Sequence, residues 1–270
     1  MIKAINKKNL EIPLDWFICP VTKKKLLQRK NILCSSFGCF KKNTKYGFWN
    51  FIPKNLKDLN KPIWKTWEKL QENGVASYIN DPMHNLGEGM RKDYIEFSKF
   101  CNFHGIVLDI GVGPQKIPTH VKYCEKKNFF FIGIDPLEGI WPKNFIFVQG
   151  LGEYLPFKDK LFDQVLYVTS IDHFINPIDT LKEAKRVLKD DGTICIWMGE
   201  KSKNTPKPKK NPGWYKKIKV PKGAEDVFHF KRFSSENLEK CFYKISLKIK
   251  EKREITIDKW RKNLFYRITK

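Results

Sequence analysis

Residues 105–115, GIVLDIGVGPQ, set the apolar run Ile106, Val107, Leu108 directly before Asp109, with Gly111 and Gly113 following at once. That order describes a buried parallel strand ending in a glycine turn, with Pro114 placed to open a helix. Without a Cβ the backbone can bend sharply, let a ligand approach closely and point free N–H groups at it. After roughly one helix length a second apolar run, Phe129 to Ile134, ends in Asp135. An acidic residue at the tip of the second strand is where a doubly wound fold holds a ribose hydroxyl pair.

The elements that must position these groups alternate. The pattern gives strands at 105–111, 129–135, 144–149, 162–169 and 192–199, with helices at 114–126 and 176–189. Such alternation implies a parallel sheet with helices on both faces. Ligands of these sheets bind beyond the carboxyl ends of the strands, where the strand order reverses. Asp109, Gly111, Gly113, Asp135 and the segment Thr169 to His173 all fall at such ends.

The blocks LDIGVGPQ, FIGIDP, EYLPFKDKLFDQVLYVTSIDHF and LKEAKRVLKDDGTICIW, in this order and spacing, resemble the class I S-adenosylmethionine-dependent methyltransferases of the type 11-like, small-molecule branch. The resemblance covers about residues 90–200. It implies an α/β fold with a Rossmann-like, doubly wound, mostly parallel seven-stranded sheet, and S-adenosyl-L-methionine as cofactor. It also implies roles. The Asp109–Gly113 turn would approach the amino-acid portion and ribose of the cofactor, and Asp135 would accept from the ribose hydroxyls. The block 149–157 would line the adenine through backbone groups of Leu151 and Gly152 or the carboxylate of Glu153. Leu151 stands where the family often has an Asp, and Gln115 stands at its third glycine. Ser170 to His173 would form the floor between cofactor and acceptor. For a hydroxyl acceptor a general base is required, and His is the natural residue near neutral pH; His173 and His229 are the candidates, with Asp172 third.

The acceptor implied is a small molecule or a saccharide, methylated at oxygen or nitrogen. Two alternatives stand beside it: an RNA base methyltransferase, and a non-catalytic cofactor-binding or scaffold protein. The chain reads VTSIDHF after the fourth strand, not the N/D-P-P-Y/F of enzymes that methylate amino groups of flipped bases. No cysteine sits in a Pro-Cys pair suited to attack a pyrimidine ring.

Around this core the chain divides into a small module at 1–56, a helical linker or cap at 57–103, and the methyltransferase-like domain at 104–270. The module, with Cys19, Cys34 and Cys39, resembles a zinc ribbon. Thr22 and Phe37 stand where the second cysteine of each C-x-x-C knuckle would fall, so a metal-free ribbon is expected. Within the cap, a helix at 57–73 and a loop at 74–90 are expected, then a helix at 91–102, with Tyr78, His84 and Tyr94 as further site candidates. Residues 201–222 carry nine lysines and four prolines and no acid, which reads as a basic loop serving as a solvated insertion or as a lid over the substrate. A helix from Ser234 or Ser235 to about Phe242 and two last strands, 245–255 and 259–269, close the chain.

The net charge of +23 invites an RNA partner. Lysine supplies it, 45 residues against 7 arginines, and arginine is the residue suited to bidentate phosphate and base recognition. A generally basic surface is the expectation. Seven scattered cysteines read as reduced thiols. No apolar run approaches the ~20 residues of a membrane span, and no signal peptide is seen, so a soluble cytoplasmic protein is expected.

Overall fold

The computed structural model describes residues 11–54, 61–85, 92–125, 128–202, 204–206, 212–230 and 232–270. A central sheet carries everything else. Its heart is parallel: β5 (Gly105–Ile110), β6 (Phe129–Asp135), β7 (Ile146–Gln149), β8 (Phe162–Val168) and the start of β9 (Leu188–Lys201). Two antiparallel strands, β10 (Lys248–Asp258) and β11 (Arg261–Thr269), finish one edge. From β7 to that edge the order is β7-β6-β5-β8-β9-β11-β10, so the chain reverses direction across the sheet between β5 and β8. The crevice at such a reversal is where doubly wound sheets bind ligands.

The expected seven strands are therefore present, and the N-terminal module adds to them. Strands β1 (Leu27–Arg29), β2 (Ile32–Cys34), β3 (Cys39–Lys42) and β4 (Trp49–Asn50) form an antiparallel meander. β4 pairs in parallel with β7, Trp49 opposite Val148 and Asn50 opposite Gln149, making one eleven-stranded sheet. Side-chain alternation builds a core on each face. Leu108, Ile110, Ile132 and Ile134 join Phe17, Leu33, Phe40, Trp49 and Phe51 of the module, with Phe157, Leu181 and Phe242, on one face. Val107 and Phe131 join Phe97, Phe100, Phe103, Trp197 and Phe265 on the other.

Three expectations are corrected. The helix expected at 114–126 shrinks to α4 (Thr119–Lys122), because Pro118 has no N–H to continue a helix through it and instead precedes the first turn. In the cap, α1 (Pro62–Asn80) runs well past Asn73, then α2 (Pro82–Asn85) and α3 (Lys92–Cys101) follow. Gly74 is absorbed into α1, its carbonyl accepting from Ser77 Oγ at 2.8 Å, and Pro82 marks where α1 has stopped; residues 57–60 lie outside the described part. The thiols are not all reduced, because Cys34 and Cys39, directly paired across β2 and β3, form a disulfide. Cys19, Cys101, Cys124, Cys195 and Cys241 are free, and Cys19 Sγ accepts from Thr22 N at 3.4 Å and Ser35 Oγ at 3.3 Å. In the basic segment, expected as a solvated insertion or a lid, residues 212–222 are tied to α1, and Asn73 donates to the Lys219 and Val227 carbonyls at 3.0 and 2.7 Å. Residues 203 and 207–211 lie outside the described part.

α5 (Pro177–Val187) covers the first core beside α6 (Ser235–Lys244). Asn176 caps α5 and Ser234 caps α6, its Oγ accepting from Asn237 N at 3.2 Å. Among the described residues no helix is long and apolar enough to cross a membrane.

Candidate active site

A cavity of about 270 Å³ opens at the carboxyl ends of β5, β6 and β8. Its wall includes Gly111, Gly113, Asp135, Leu151, Gly152, Glu153, Ser170, His173 and His229. Five separate segments of sequence thus meet on one surface, with Trp67, Gln71, Gly74 and Tyr78 of α1 facing them.

The glycine turn has a steric reason. Gly111 sits at φ +77°, and a Cβ there would fall 2.7 Å from Ser170 Cβ. Ser170 is held beneath it, Oγ donating to the Ile110 carbonyl at 2.7 Å. Thr169, before it, adopts φ +54°, a costly conformation for a β-branched residue, and this turn aims Ser170 at β5. Gly113 sits at φ +83°, and its N–H donates to Asp135 Oδ2 at 2.8 Å.

Asp135 therefore closes the turn from the tip of β6. Its other oxygen accepts the Leu137 N–H at 2.8 Å. It is only 6% exposed, and burial pushes its carboxyl up to about 6. Desolvation acts likewise on Glu153, raised to about 7, whose Oε1 accepts the Ile175 N–H at 3.0 Å. A second carboxylate on the wall thus sits near its titration point at neutral pH.

Asp109 lies elsewhere. It is fully buried behind the turn and away from the cavity wall, with Oδ2 2.9 Å from His120 Nε2. Tyr94, Phe97, Phe103 and Phe131 surround that imidazole. Tyr78 and Tyr94 do line the cavity; the His84 side chain lies outside the described part.

At the far end stand two imidazoles, ring centroids 4.4 Å apart. His173 Nδ1 is 3.2 Å from the Phe228 carbonyl oxygen, and its own carbonyl accepts from Trp67 Nε1 at 3.1 Å. Loss of hydration inside the cavity pulls His173 down to about 4. His229 Nδ1 is 2.8 Å from Asp226 Oδ1. Asp172 is not part of the wall but flanks both rings, 3.8 Å from His173 Nε2 and 3.4 Å from His229 Nε2. Asp226, Phe228 and Arg232 were not singled out by sequence reading. The D-x-x-H spacing of 226–229 was the available signal, since an Asp in a turn accepts backbone N–H groups two and three residues on, as Asp226 does from Phe228 and His229 at 2.8 and 3.0 Å.

Residues 108–196 match the family model described as Methyltransferase domain, a span that begins in β5 and ends in β9. The chain carries a methyltransferase domain. Around this domain, the chain is similar to the crystal structure of Burkholderia thailandensis 1,6-didemethyltoxoflavin-N1-methyltransferase, solved with 1,6-didemethyltoxoflavin and S-adenosylhomocysteine. The TM-score is 0.55 at 12% identity, covering 91% of this chain and 100% of that one. It is also similar to the PH0226 protein of Pyrococcus horikoshii OT3, with a TM-score of 0.50 at 21% identity over 70% of this chain and 96% of the other. At these identities the likeness is one of fold. A curated relative, the uncharacterized protein MJ1123 of Methanocaldococcus jannaschii, is 35% identical over 122 residues, 43% of this chain. The match spans about half, 55%, of that relative's length.

Proposed function

We propose that the protein is an S-adenosylmethionine-dependent methyltransferase whose acceptor is a small molecule or a saccharide, methylated at oxygen or nitrogen. One observation carries this reading: the methyltransferase domain's glycine turn and Asp135 share a single cavity with His173 and His229.

The residues fit the cofactor. Gly111 and Gly113 let the turn run at positive φ where a Cβ would strike Ser170 Cβ at 2.7 Å or Gln115 Oε1 at 2.6 Å, so the backbone itself forms the cavity wall at both. Asp135, ionised, offers a fixed carboxylate to a ribose hydroxyl pair. Leu151, Gly152 and Glu153 stand on the same wall for an adenine. S-Adenosylmethionine, when bound, supplies a methyl group on a sulfonium, already activated for in-line displacement. What remains for the chain is to position two reactants and exclude water. Ser170 supports the turn from below, α1 faces it, and His173 and His229 stand on the same wall, where an acceptor would lose its proton. The cover provided by α1 and residues 212–230 favours an acceptor taken into the cavity whole, which supports a small molecule over RNA.

Calorimetry with S-adenosylmethionine and S-adenosylhomocysteine tests the reading. Micromolar binding of both by the full chain is expected, with a loss of roughly a hundredfold or more in Asp135→Ala, the size of two charge-assisted hydrogen bonds. Binding unchanged in the variant would remove the ribose role of Asp135. No binding of either ligand by the unaltered chain would overturn the reading in favour of a scaffold. Screening labelled methyl incorporation into sugars, small acids and RNA then identifies the acceptor class.

A further inference from the structure

The proton positions at the acceptor end are fixed by what faces each ring. A carbonyl oxygen only accepts, so His173 Nδ1, 3.2 Å from the Phe228 carbonyl, carries the hydrogen and its Nε2 is a lone pair. The carboxylate of Asp226 likewise only accepts, and it is anchored by the Phe228 and His229 N–H groups and by Arg232 Nε at 2.8 Å. His229 Nδ1 therefore carries the hydrogen, and in the neutral ring Nε2 is the ligand atom. Both Nε2 atoms lie near Asp172, that of His173 3.8 Å from Oδ1 and that of His229 3.4 Å from Oδ2. The three ligand atoms all lie within 4.8 Å of one another. With both rings neutral in this tautomer, three acceptors converge with no hydrogen of their own to share. A proton between them would satisfy only one pair, whereas a divalent cation satisfies all three.

We propose that Asp172, His173 and His229 form a divalent transition-metal site at the acceptor end of the cavity. Two imidazoles and a carboxylate with open remaining positions suit zinc, cobalt, manganese or ferrous iron better than magnesium or calcium. At metal–ligand bonds of roughly 2.0–2.2 Å, ligand atoms stand about 3 to 4 Å apart, so a set within 4.8 Å of one another must draw in to close on an ion. The Nδ1 contacts to the Phe228 carbonyl and the Asp226 carboxylate are the outer hydrogen bonds that orient metal-binding histidines. Arg232 Nη1, 3.9 Å from Asp172 Oδ2, shares that carboxylate with the ion. Both histidines line the cavity, so the ion's open positions face the space assigned to the acceptor. An oxygen-bearing acceptor is the class such an ion would hold and acidify, in place of proton uptake by an imidazole whose Nε2 is already ligated. This last role rests on the methyltransferase reading; the ion site itself does not.

Chelator-stripped, full-length protein titrated with Co²⁺, followed by visible spectroscopy and calorimetry, tests the site. One equivalent should bind with weak d–d absorption and no thiolate charge-transfer band. Asp172→Asn should weaken binding at least about tenfold, Asp226→Asn roughly 10–100-fold, and His173→Ala with His229→Ala should abolish it. No uptake by the unaltered chain, a thiolate band from the cysteines, or unchanged binding in Asp172→Asn would overturn the proposal. The asparagine variant decides the matter if the double variant does not fold. S-Adenosylmethionine titrated into the same samples separates the two readings, because Co²⁺ binding without cofactor binding leaves the ion site standing and removes the cofactor. Cofactor binding without Co²⁺ does the reverse.

Discussion

Asp135 is kept in a place where its charge is expensive. Its carboxyl titrates at about 6 when folded against about 3.9 in an unfolded chain. A raised acid contributes to folding most fully below the unfolded value, and that contribution is lost as the pH rises through about 6. At neutral pH the buried carboxylate therefore costs on the order of 3 kcal/mol, a cost that ribose hydroxyls would offset. Cofactor affinity should fall about tenfold per pH unit below about pH 6, because protonation replaces an acceptor with a donor; calorimetry from about pH 5 to pH 8 checks this, and a flat profile would contradict it. Gly111→Ala should destabilise the protein by about 3 kcal/mol, combining a left-handed backbone with an overpacked contact to Ser170, as measured by urea unfolding. These two positions were legible in the sequence because each is the residue type its geometry demands. Asp109 was not, because a strand-end carboxylate looks the same whether it meets a ligand or, as here, His120 Nε2 at 2.9 Å.

At the scale of elements, the parallel strands were readable because their apolar runs are continuous and buried on both faces. Helix lengths were less so. Gly74 reads as a breaker, yet burial of Trp64, Leu70 and Ser77 on one face of α1 outweighs the ~1 kcal/mol that a helical glycine costs. The joining of the N-terminal module to the sheet was also hidden, since β4 has two residues, too few to show a period. Its attachment rests on Phe17 and Phe51, 4.8 Å apart between ring centroids, and on Phe17 against Phe157 at 5.7 Å. Phe51→Ala should cost about 3–5 kcal/mol in a single cooperative unfolding transition. Two separate transitions in the unaltered chain would mean that module and domain fold independently.

For the molecule as a whole, charge is the strongest compositional signal and the least specific. The excess of +23 is spread through lysines, and many of these are paired at the surface, as Lys69 with Glu72 and Lys158 with Asp15. Retention on heparin or unrelated RNA should be lost between about 50 and 200 mM salt, without sequence preference, as for simple counterion release. Retention of one RNA at higher salt would instead favour the RNA acceptor. The cavity's position was legible at the glycine turn and Asp135, where motif and fold coincide, and less so around His173 and His229. There Phe228 and His229 arrive from a segment whose path depends on α1, and no local pattern encodes that docking.

Asn73 gives that docking a kinetic meaning. One side-chain amide fastens two carbonyls, Lys219 and Val227, on either side of the stretch that leads to His229. It works as a latch between α1 and this segment, and we predict that the segment's lifting sets the rate of passage between solvent and the cavity. Cutting the latch with Asn73→Ala should speed arrival and departure of cofactor by similar factors, leaving the equilibrium constant within about threefold while residence times shorten. Stopped-flow exchange against S-adenosylhomocysteine would read this directly, and an affinity that collapses with unchanged rates of arrival would show that the amide holds the site's shape and not its door.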